Sequence, residues 1–107
     1  MYKEKVQEFI NFCDKDVFSS RHYYIIDTMG VEYDRNENWC HVIRFNEPDA
    51  DKLFKYLDTL NDGLVIFDRM DFWYNDENSY VSLYRFLKEF FDKLRELSVK
   101  NNLVIFT

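Results

Sequence analysis

Apolar residues recur at spacings of three and four along three parts of the chain, and this pattern predicts three amphipathic helices. The first covers residues 2 to 17, the second lies between Asn46 and Gly63, and the third runs from about Ser79 to Val99. Asn46 is a candidate cap for the second helix, and Gly63 is a candidate left-handed stop. The third helix is expected to be the main core helix, because it has the longest apolar stripe, formed by Leu83, Leu87, Phe90, Leu94 and Leu97.

Short segments rich in aromatic and β-branched residues predict four strands. HYYIIDTM (22–29) and WCHVIRFN (39–46) flank a polar DRNEN segment that is a turn candidate, so we interpret them as an antiparallel hairpin. The tetrapeptide LVIF occurs at 64–67 and again at 103–106, each time after a predicted helix. Uninterrupted apolar segments of this kind are typical of buried parallel strands, so the last part of the chain is expected to form a β-α-β unit.

These elements predict a single α/β (α+β) domain over residues 1–107, in the order α-β-β-α-β-α-β. The preference for right-handed crossovers favours a two-layer domain with a mixed four-stranded sheet. Strands two, three and four would be parallel, and the N-terminal strand would be antiparallel at an edge. A chain of 107 residues is large enough to bury one core without disulfides or a metal.

Composition supports a folded protein, since 47% of the residues are apolar and 20% are aromatic. The N-terminal MYKEKVQEF alternates charged and apolar residues, unlike a signal peptide, and no segment has the length needed to span a bilayer. We therefore expect a cytoplasmic protein without a membrane partner. Cys13 and Cys40 are too few for a disulfide framework and are expected to be reduced thiols.

The net charge of -6 disfavours direct binding to nucleic acid, which needs a basic face, and favours a basic protein as the partner. Residues 46–77 contain nine acids and three bases, whereas acids and bases balance over the rest of the chain. All of the net charge therefore lies in one contiguous third. A solvated acidic face is the alternative to a binding surface.

The acids that follow the second and third predicted strands should share one rim, because the loops at the carboxyl ends of parallel strands lie together and often bind ligands. The loop after the third strand, DRMDFWYNDENSY (68–80), is long enough to be a binding loop. We expect Phe72 to serve the core and Trp73 and Tyr74 to make contacts, although the aromatic residues could instead cap the core. The predicted partner-binding residues are Glu47, Asp49, Asp51, Asp58, Asp68, Asp71, Trp73, Tyr74, Asp76 and Glu77.

Catalytic and metal chemistry has little support in the sequence. Asp68 and Asp71 resemble the acids of magnesium-dependent phosphoryl-transfer sites, but Arg69 is the only nearby base and no glycine-rich phosphate loop is present. Cys40 and His41 are adjacent in a predicted strand and would point to opposite faces, so they cannot bind one zinc ion together. We predict no catalytic residue, metal site or cofactor.

The second half of the chain contains a helix, LVIFD, a loop, a long helix and LVIFT. This pattern resembles barstar-type inhibitors and anti-sigma-factor antagonist domains. The antagonist domains carry an Asp-Ser-Ser-Gly motif with a phosphorylated serine, whereas this chain has NDENS at 75–79, where only Ser79 could correspond and the glycine is missing. Both resemblances imply a non-enzymatic protein that binds another protein.

The function expected from these features is that of a small acidic inhibitor of the anti-restriction or anti-CRISPR type that phages and mobile elements encode. Its carboxylates would substitute for phosphates in the basic channel of a nuclease or other nucleic-acid-binding protein. The alternatives are an immunity protein or antitoxin with one cognate toxin, a partner-switch module modified at Ser79, and a small metal-dependent enzyme. The sequence leaves open whether the protein is a monomer or a homodimer.

Overall fold

A computed structural model describes residues 2–15, 22–33, 39–74 and 82–107. The elements in chain order are α1 (Tyr2–Lys15), β1 (Tyr23–Asp27), β2 (Cys40–Arg44), α2 (Ala50–Leu57), β3 (Leu64–Phe67), a 3-10 turn (Asp71–Trp73), α3 (Leu83–Asn101) and β4 (Val104–Phe106). The four strands form one sheet in the order β2-β1-β3-β4. This confirms the predicted α/β fold and the predicted order of elements. Of the helices just described, none combines the length and the hydropathy needed to cross a membrane.

The direction of β1 differs from the prediction. All pairings in the sheet are parallel, and β1 lies inside the sheet, between β2 and β3. In this register Ile25 of β1 lies opposite Val42 on one side and Ile66 on the other. The predicted antiparallel hairpin, the edge position of the first strand and the mixed sheet are therefore wrong.

The connection between β1 and β2 explains this difference. It spans residues 28–39, which is about the dozen residues that a parallel crossover requires. The chain turns directly after β1, where the Asp27 carboxylate accepts the Gly30 N–H at 2.9 Å and Gly30 adopts a left-handed φ of 72°. Val31 and Tyr33 then pack on the sheet face that α1 covers. The DRNEN segment that we interpreted as a hairpin turn lies outside the described residues.

Helices cover both faces of the sheet, so the domain has three layers and not the predicted two. Successive strand residues point to opposite faces. Tyr23 and Ile25 pack against Val6 and Ile10 of α1, whereas Ile26 packs on the side of α2 and α3. The larger core cluster, on the side of α2 and α3, contains Ile26, Leu53, Leu57, Leu60, Val65, Phe67, Trp73, Phe90, Leu94, Leu97 and Leu103.

The ends of α2 are set by residues next to those predicted. Asp49 is the N-cap in place of Asn46, and its side chain accepts the backbone N–H three residues further on at 3.2 Å. Asp62 takes the left-handed conformation, with φ of 57°, in place of Gly63. Gly63 is required for space instead, because a Cβ atom there would lie 2.8 Å from the ring of Tyr24.

The two LVIF segments occupy different positions in the sheet. All four residues of β3 are buried, as predicted for a central parallel strand. The second segment forms the edge strand β4, where Val104 is 41% exposed and Phe106 is 37% exposed. The expectation that both segments are fully buried is therefore correct only for the first.

Candidate functional site

Two buried aspartates lie where the strand order of the sheet reverses. The chain goes from β1 to β2 on one side and then crosses back to β3 on the other, so this switch point lies between β1 and β3. The crevice at the carboxyl ends of strands at such a point is the usual ligand site of open parallel sheets. Asp27 is the last residue of β1 and Asp68 directly follows β3, and they are only 3% and 0% exposed. The switch point therefore holds two carboxyl groups beneath the surface.

Hydrogen bonds connect both carboxyl groups to the loop after β1. The Asp68 carboxyl accepts the Thr28 backbone N–H at 2.8 Å and the Thr28 hydroxyl at 2.9 Å. One oxygen of Asp27 accepts the backbone N–H groups of Met29 and Gly30, at 3.0 and 2.9 Å. The two side chains thus hold the loop against the carboxyl ends of β1 and β3.

The surroundings of Asp68 favour its protonated form. Burial raises the pKa of the Asp68 carboxyl, the hydrogen bonds from Thr28 oppose this rise, and the hydrogen bond and charge of neighbouring Asp27 add to it. Burial, together with the charges of Asp68 and Asp27, also raises the pKa of Tyr33 to about 12. The Tyr33 hydroxyl is buried and has no hydrogen-bond partner among the described residues.

The pair has a structural role in the described part of the chain. The carboxyl oxygens of Asp27 and Asp68 accept hydrogen bonds from the loop after β1, and both side chains are buried. Within the ranges that the structure describes, no group of three or more His, Cys, Asp or Glu residues could hold a metal ion. The arrangement therefore fixes the loop, and the two buried carboxyl groups are not open to a substrate.

Asp27 was not predicted as part of the site, because β1 was predicted to be antiparallel. In an antiparallel β1, Asp27 would lie at the opposite end of the sheet from Asp68. The signal that could have identified the pair is the shared ending of YYIID and LVIFD, in which an aspartate follows an apolar run. Once both strands are parallel, the two acids must lie at the same rim.

Trp73 is in the core, which corrects its predicted role as an exposed contact residue. It is 0% exposed, and its ring packs edge-on against Phe45 and Phe72 at centroid distances of 5.3 and 5.0 Å. The 3-10 turn rotates successive side chains by about a third of a turn, and Trp73 takes the inward position. Phe72 and Tyr74 are half-buried, and the Tyr74 ring lies 5.2 Å from that of Phe86. The aromatic residues therefore cap the core, and Asp68 is likewise too deeply buried to contact a partner.

Two of the predicted contact acids have a base beside them. Asp71 accepts two hydrogen bonds of 2.8 Å from Arg69, and this contact lowers the pKa of Asp71. Asp58 lies at the far end of α2 from the rim and accepts a hydrogen bond of 3.0 Å from Lys100. The bonds from Lys100 and then Asn101 lower its pKa. These two carboxylates are the less available for a basic partner because each already has a cationic neighbour.

The remaining predicted acids in the described residues lie together between β2 and α2. We call Glu47, Asp49 and Asp51 the acidic corner. Glu47 and Asp51 are exposed, Asp49 is half-buried at the start of α2, and none of the three is in an ion pair with another described residue. The nearest preceding base, Arg44, extends toward Gly30, where its guanidinium would contact an added Cβ atom. The predicted site residues that the structure describes therefore include buried side chains, acids that are paired with a base, and the acidic corner.

The histidines lie at the amino-terminal end of the sheet, away from the acidic corner. His22 Nδ1 and His41 Nε2 are 2.8 Å apart, and the ring of His41 stacks on Tyr24. Cys40 is a buried free thiol that packs in the α1 cluster. Cys40 and His41 therefore point to opposite faces, as predicted.

Comparisons with known proteins give no match for this chain among protein-family models, curated proteins or solved structures. Asp76 and Glu77 of the predicted surface, and Ser79 of the partner-switch hypothesis, lie outside the described residues.

Proposed function

We propose that this chain is a small non-enzymatic protein that acts in the cytoplasm as an inhibitor of a nuclease or another nucleic-acid-binding protein. The observation that carries the proposal is the acidic corner, in which three carboxylates at the carboxyl rim have no ion-pair partner among the described residues. It lies within the segment 46–77, which accounts for the whole net charge of -6.

The start of α2 stabilises this concentration of charge. Backbone N–H groups at a helix N-terminus favour nearby acids by about 0.3–1 kcal/mol each. Asp49 is the N-cap and Asp51 is in the first turn. The helix N-terminus therefore offsets part of the repulsion between these neighbouring carboxylates. In a complex, such carboxylates substitute for backbone phosphates and speed association with a basic channel.

Because Trp73 is buried, the proposed interaction lacks the apolar contact that the sequence had predicted. An exposed tryptophan would have given the partner an apolar anchor, but this side chain is 0% exposed. Recognition then depends mainly on charge, and charge-based recognition weakens as salt screens it over about 10 Å at 0.1 M. The proposal therefore requires a steep loss of affinity with rising salt concentration.

The test compares two charge reversals on a basic protein captured with the wild-type chain and then purified. Asp51→Lys changes the acidic corner, whereas the control Asp92→Lys makes the same change at an exposed position on α3. We expect Asp51→Lys to weaken binding by about tenfold or more at low salt, which corresponds to about 1.4 kcal/mol. The control should stay within about twofold, because it lies on a different element.

A competition assay tests the inhibitory part of the proposal. Nucleic acid bound to the captured protein should be displaced by the wild-type chain and much less effectively by Asp51→Lys. Equal binding of both charge-reversal variants, or simultaneous binding of nucleic acid and this chain, would contradict the proposal. Binding confined to one toxin, with no competition against nucleic acid, would instead favour an immunity protein.

A further inference from the structure

The outer edge of β4 has free backbone groups and exposed apolar side chains. Val104 donates its N–H to Gly63 O at 2.9 Å, so the backbone groups of Val104 face β3. Because alternate residues of a strand direct these groups to opposite sides, the N–H and C=O of Ile105 face outward. No described strand pairs with this side of β4. Val104 and Phe106 are also 41% and 37% exposed.

On the face that α2 and α3 cover, Ile105 continues the apolar surface from β4 onto α3. A groove of about 280 Å³ separates the strand from the helix and is lined by Phe91, Leu94, Arg95, Ser98, Ile105 and Thr107. Tyr84, Leu87 and Phe91 follow one another at spacings of three and four residues and therefore share one flank of α3. Tyr84 is 79% exposed and Phe91 is 37% exposed. Val104 and Phe106 point to the other face of the sheet, where the Phe106 ring lies 4.6 Å from that of Phe9 in α1, so the free edge of β4 has apolar side chains on both faces.

We propose that a second copy of this chain covers this surface through antiparallel pairing of β4 with its counterpart, which would join the two sheets into one. A two-fold axis brings the same patch of both copies together. A lone strand from another protein would cover the edge of β4 but would leave the flank of α3 exposed. A second copy would cover both.

Strand and helix spacings support this choice. If α3 lies over the boundary between β3 and β4, the two α3 helices of a continuous sheet are separated by two strand spacings, or about 10 Å. Packed helices lie about 8–10 Å apart. Pairing at the strands therefore places the exposed flanks of the two helices at packing distance.

The register follows from the direction of the backbone groups. Ile105 would lie opposite Ile105 of the second copy and exchange two hydrogen bonds with it, while Val104 would lie opposite Phe106, a favourable β-branched and aromatic pair. The Leu103 N–H is already bonded to Ser98 O at 3.0 Å, so the backbone pairing is short. Most of the stabilisation must then come from apolar burial.

The charge distribution permits this contact. The segment that carries the net charge includes α2 and β3, whereas residues 82–107, which include α3 and β4, contain three acids and five bases. Arg95 is the charged residue of the groove, and it is exposed enough to keep its guanidinium in water.

Sedimentation equilibrium over a dilution series gives the first test. The wild-type chain should pass from 13.2 kDa at low concentration to twice that mass at high concentration. Val104→Lys should weaken the association by about tenfold or more, because it places a charge in the apolar contact. Val99→Lys is the matched control, since Val99 is 80% exposed and points to solvent on α3, and it should change the association by less than about twofold.

Cross-linking tests the register. Opposed residues of a hydrogen-bonded antiparallel pair have Cα atoms about 5.5 Å apart, within the range of a disulfide. Ile105→Cys should therefore form a covalent dimer under mild oxidation, and Val99→Cys should not. Monomeric wild-type protein at every concentration, an unchanged dimer in Val104→Lys, or a dimer of Ile105→Cys that does not cross-link would overturn the proposal.

Discussion

Asp27 and Asp68 combine deep burial with hydrogen bonds that satisfy several neighbouring backbone groups. An isolated ionised carboxylate in such a place would be strongly disfavoured, so buried acids keep a proton or acquire donors. Here the donors come from Thr28 and the loop that follows it, and the second acid favours retention of one proton. The pair therefore links the protonation of one side chain to the stability of the fold.

Substitution of Asp68 by Asn should change the pH dependence of stability. The raised pKa of Asp68 means that the folded chain keeps this proton at a pH where the unfolded chain, with an ordinary value of about 4, has lost it. The folded state then binds more protons, so this group makes the protein less stable as pH rises. In Asp68→Asn the amide oxygen can still accept the Thr28 N–H, and no proton is lost. We expect the variant to gain free energy of unfolding relative to wild type as the pH rises above about 4, the ordinary pKa of the unfolded chain.

Urea unfolding at a series of pH values measures this difference. Asp51→Asn is the control, since it makes the same replacement at an exposed position outside the buried pair. A stability difference for Asp68→Asn that stays flat, or that favours wild type increasingly as pH rises, would show that the pKa of the Asp68 carboxyl is not raised in the fold.

Asn101 connects the end of α3 with the end of α2. It is only 7% exposed, and its amide donates to Asp58 O at 3.1 Å and to the Asp58 carboxylate at 3.3 Å. The carbonyl groups in the last turn of a helix lack partners within that helix. The Asn101 amide also donates to the buried Leu57 O at 3.4 Å, so α3 supplies a donor to the end of α2. One amide thus links the ends of two helices that also pack through their apolar faces.

Removal of this amide should cost more than removal of the neighbouring ion pair. Asn101→Ala leaves buried acceptors of α2 without donors, for which we expect a loss of about 1–3 kcal/mol. Lys100→Ala removes an exposed pair with Asp58 and should cost clearly less, because solvent screens this pair. Thermal or urea unfolding of both variants measures the difference. Equal losses would mean that Asn101 acts only through its charge-assisted contact with Asp58.

At the scale of elements, the sequence predicted which segments are helices and strands better than it predicted how they are arranged. Periodicity identified α2 and α3 because their buried residues, such as Leu53, Leu57, Leu94 and Leu97, recur with the helical repeat. The direction of a strand leaves no such repeat in the sequence. Here it depended on the length of the connection between β1 and β2 and on the turn after Asp27. Trp73 was misplaced for a similar reason, because the inward position of a 3-10 turn cannot be known before the turn itself is known.

At the scale of the whole molecule, the two proposed surfaces lie on opposite sides. The acidic corner follows β2, and the self-association surface includes β4, and these are the two edge strands of the sheet. Four strands at about 4.8 Å spacing separate the edges by about 14 Å, which exceeds the screening length of about 8 Å at physiological salt. In the proposed dimer the two corners would be farther apart still. The molecule could therefore bind a basic partner at one edge while it pairs with a second copy at the other.

This separation predicts that the two interactions are energetically independent. Asp51→Lys should change the self-association constant by less than about twofold at physiological salt, because distant sites without shared contacts are usually additive to within about 0.5 kcal/mol. Sedimentation equilibrium of this variant beside wild type and Val104→Lys tests the prediction without a purified partner. The self-association should also vary much less with salt than partner binding does, because its contacts are mainly apolar. A change of about tenfold on Asp51→Lys, or a steep dependence on salt, would mean that the acidic corner takes part in the dimer and that the contact through β4 is wrong.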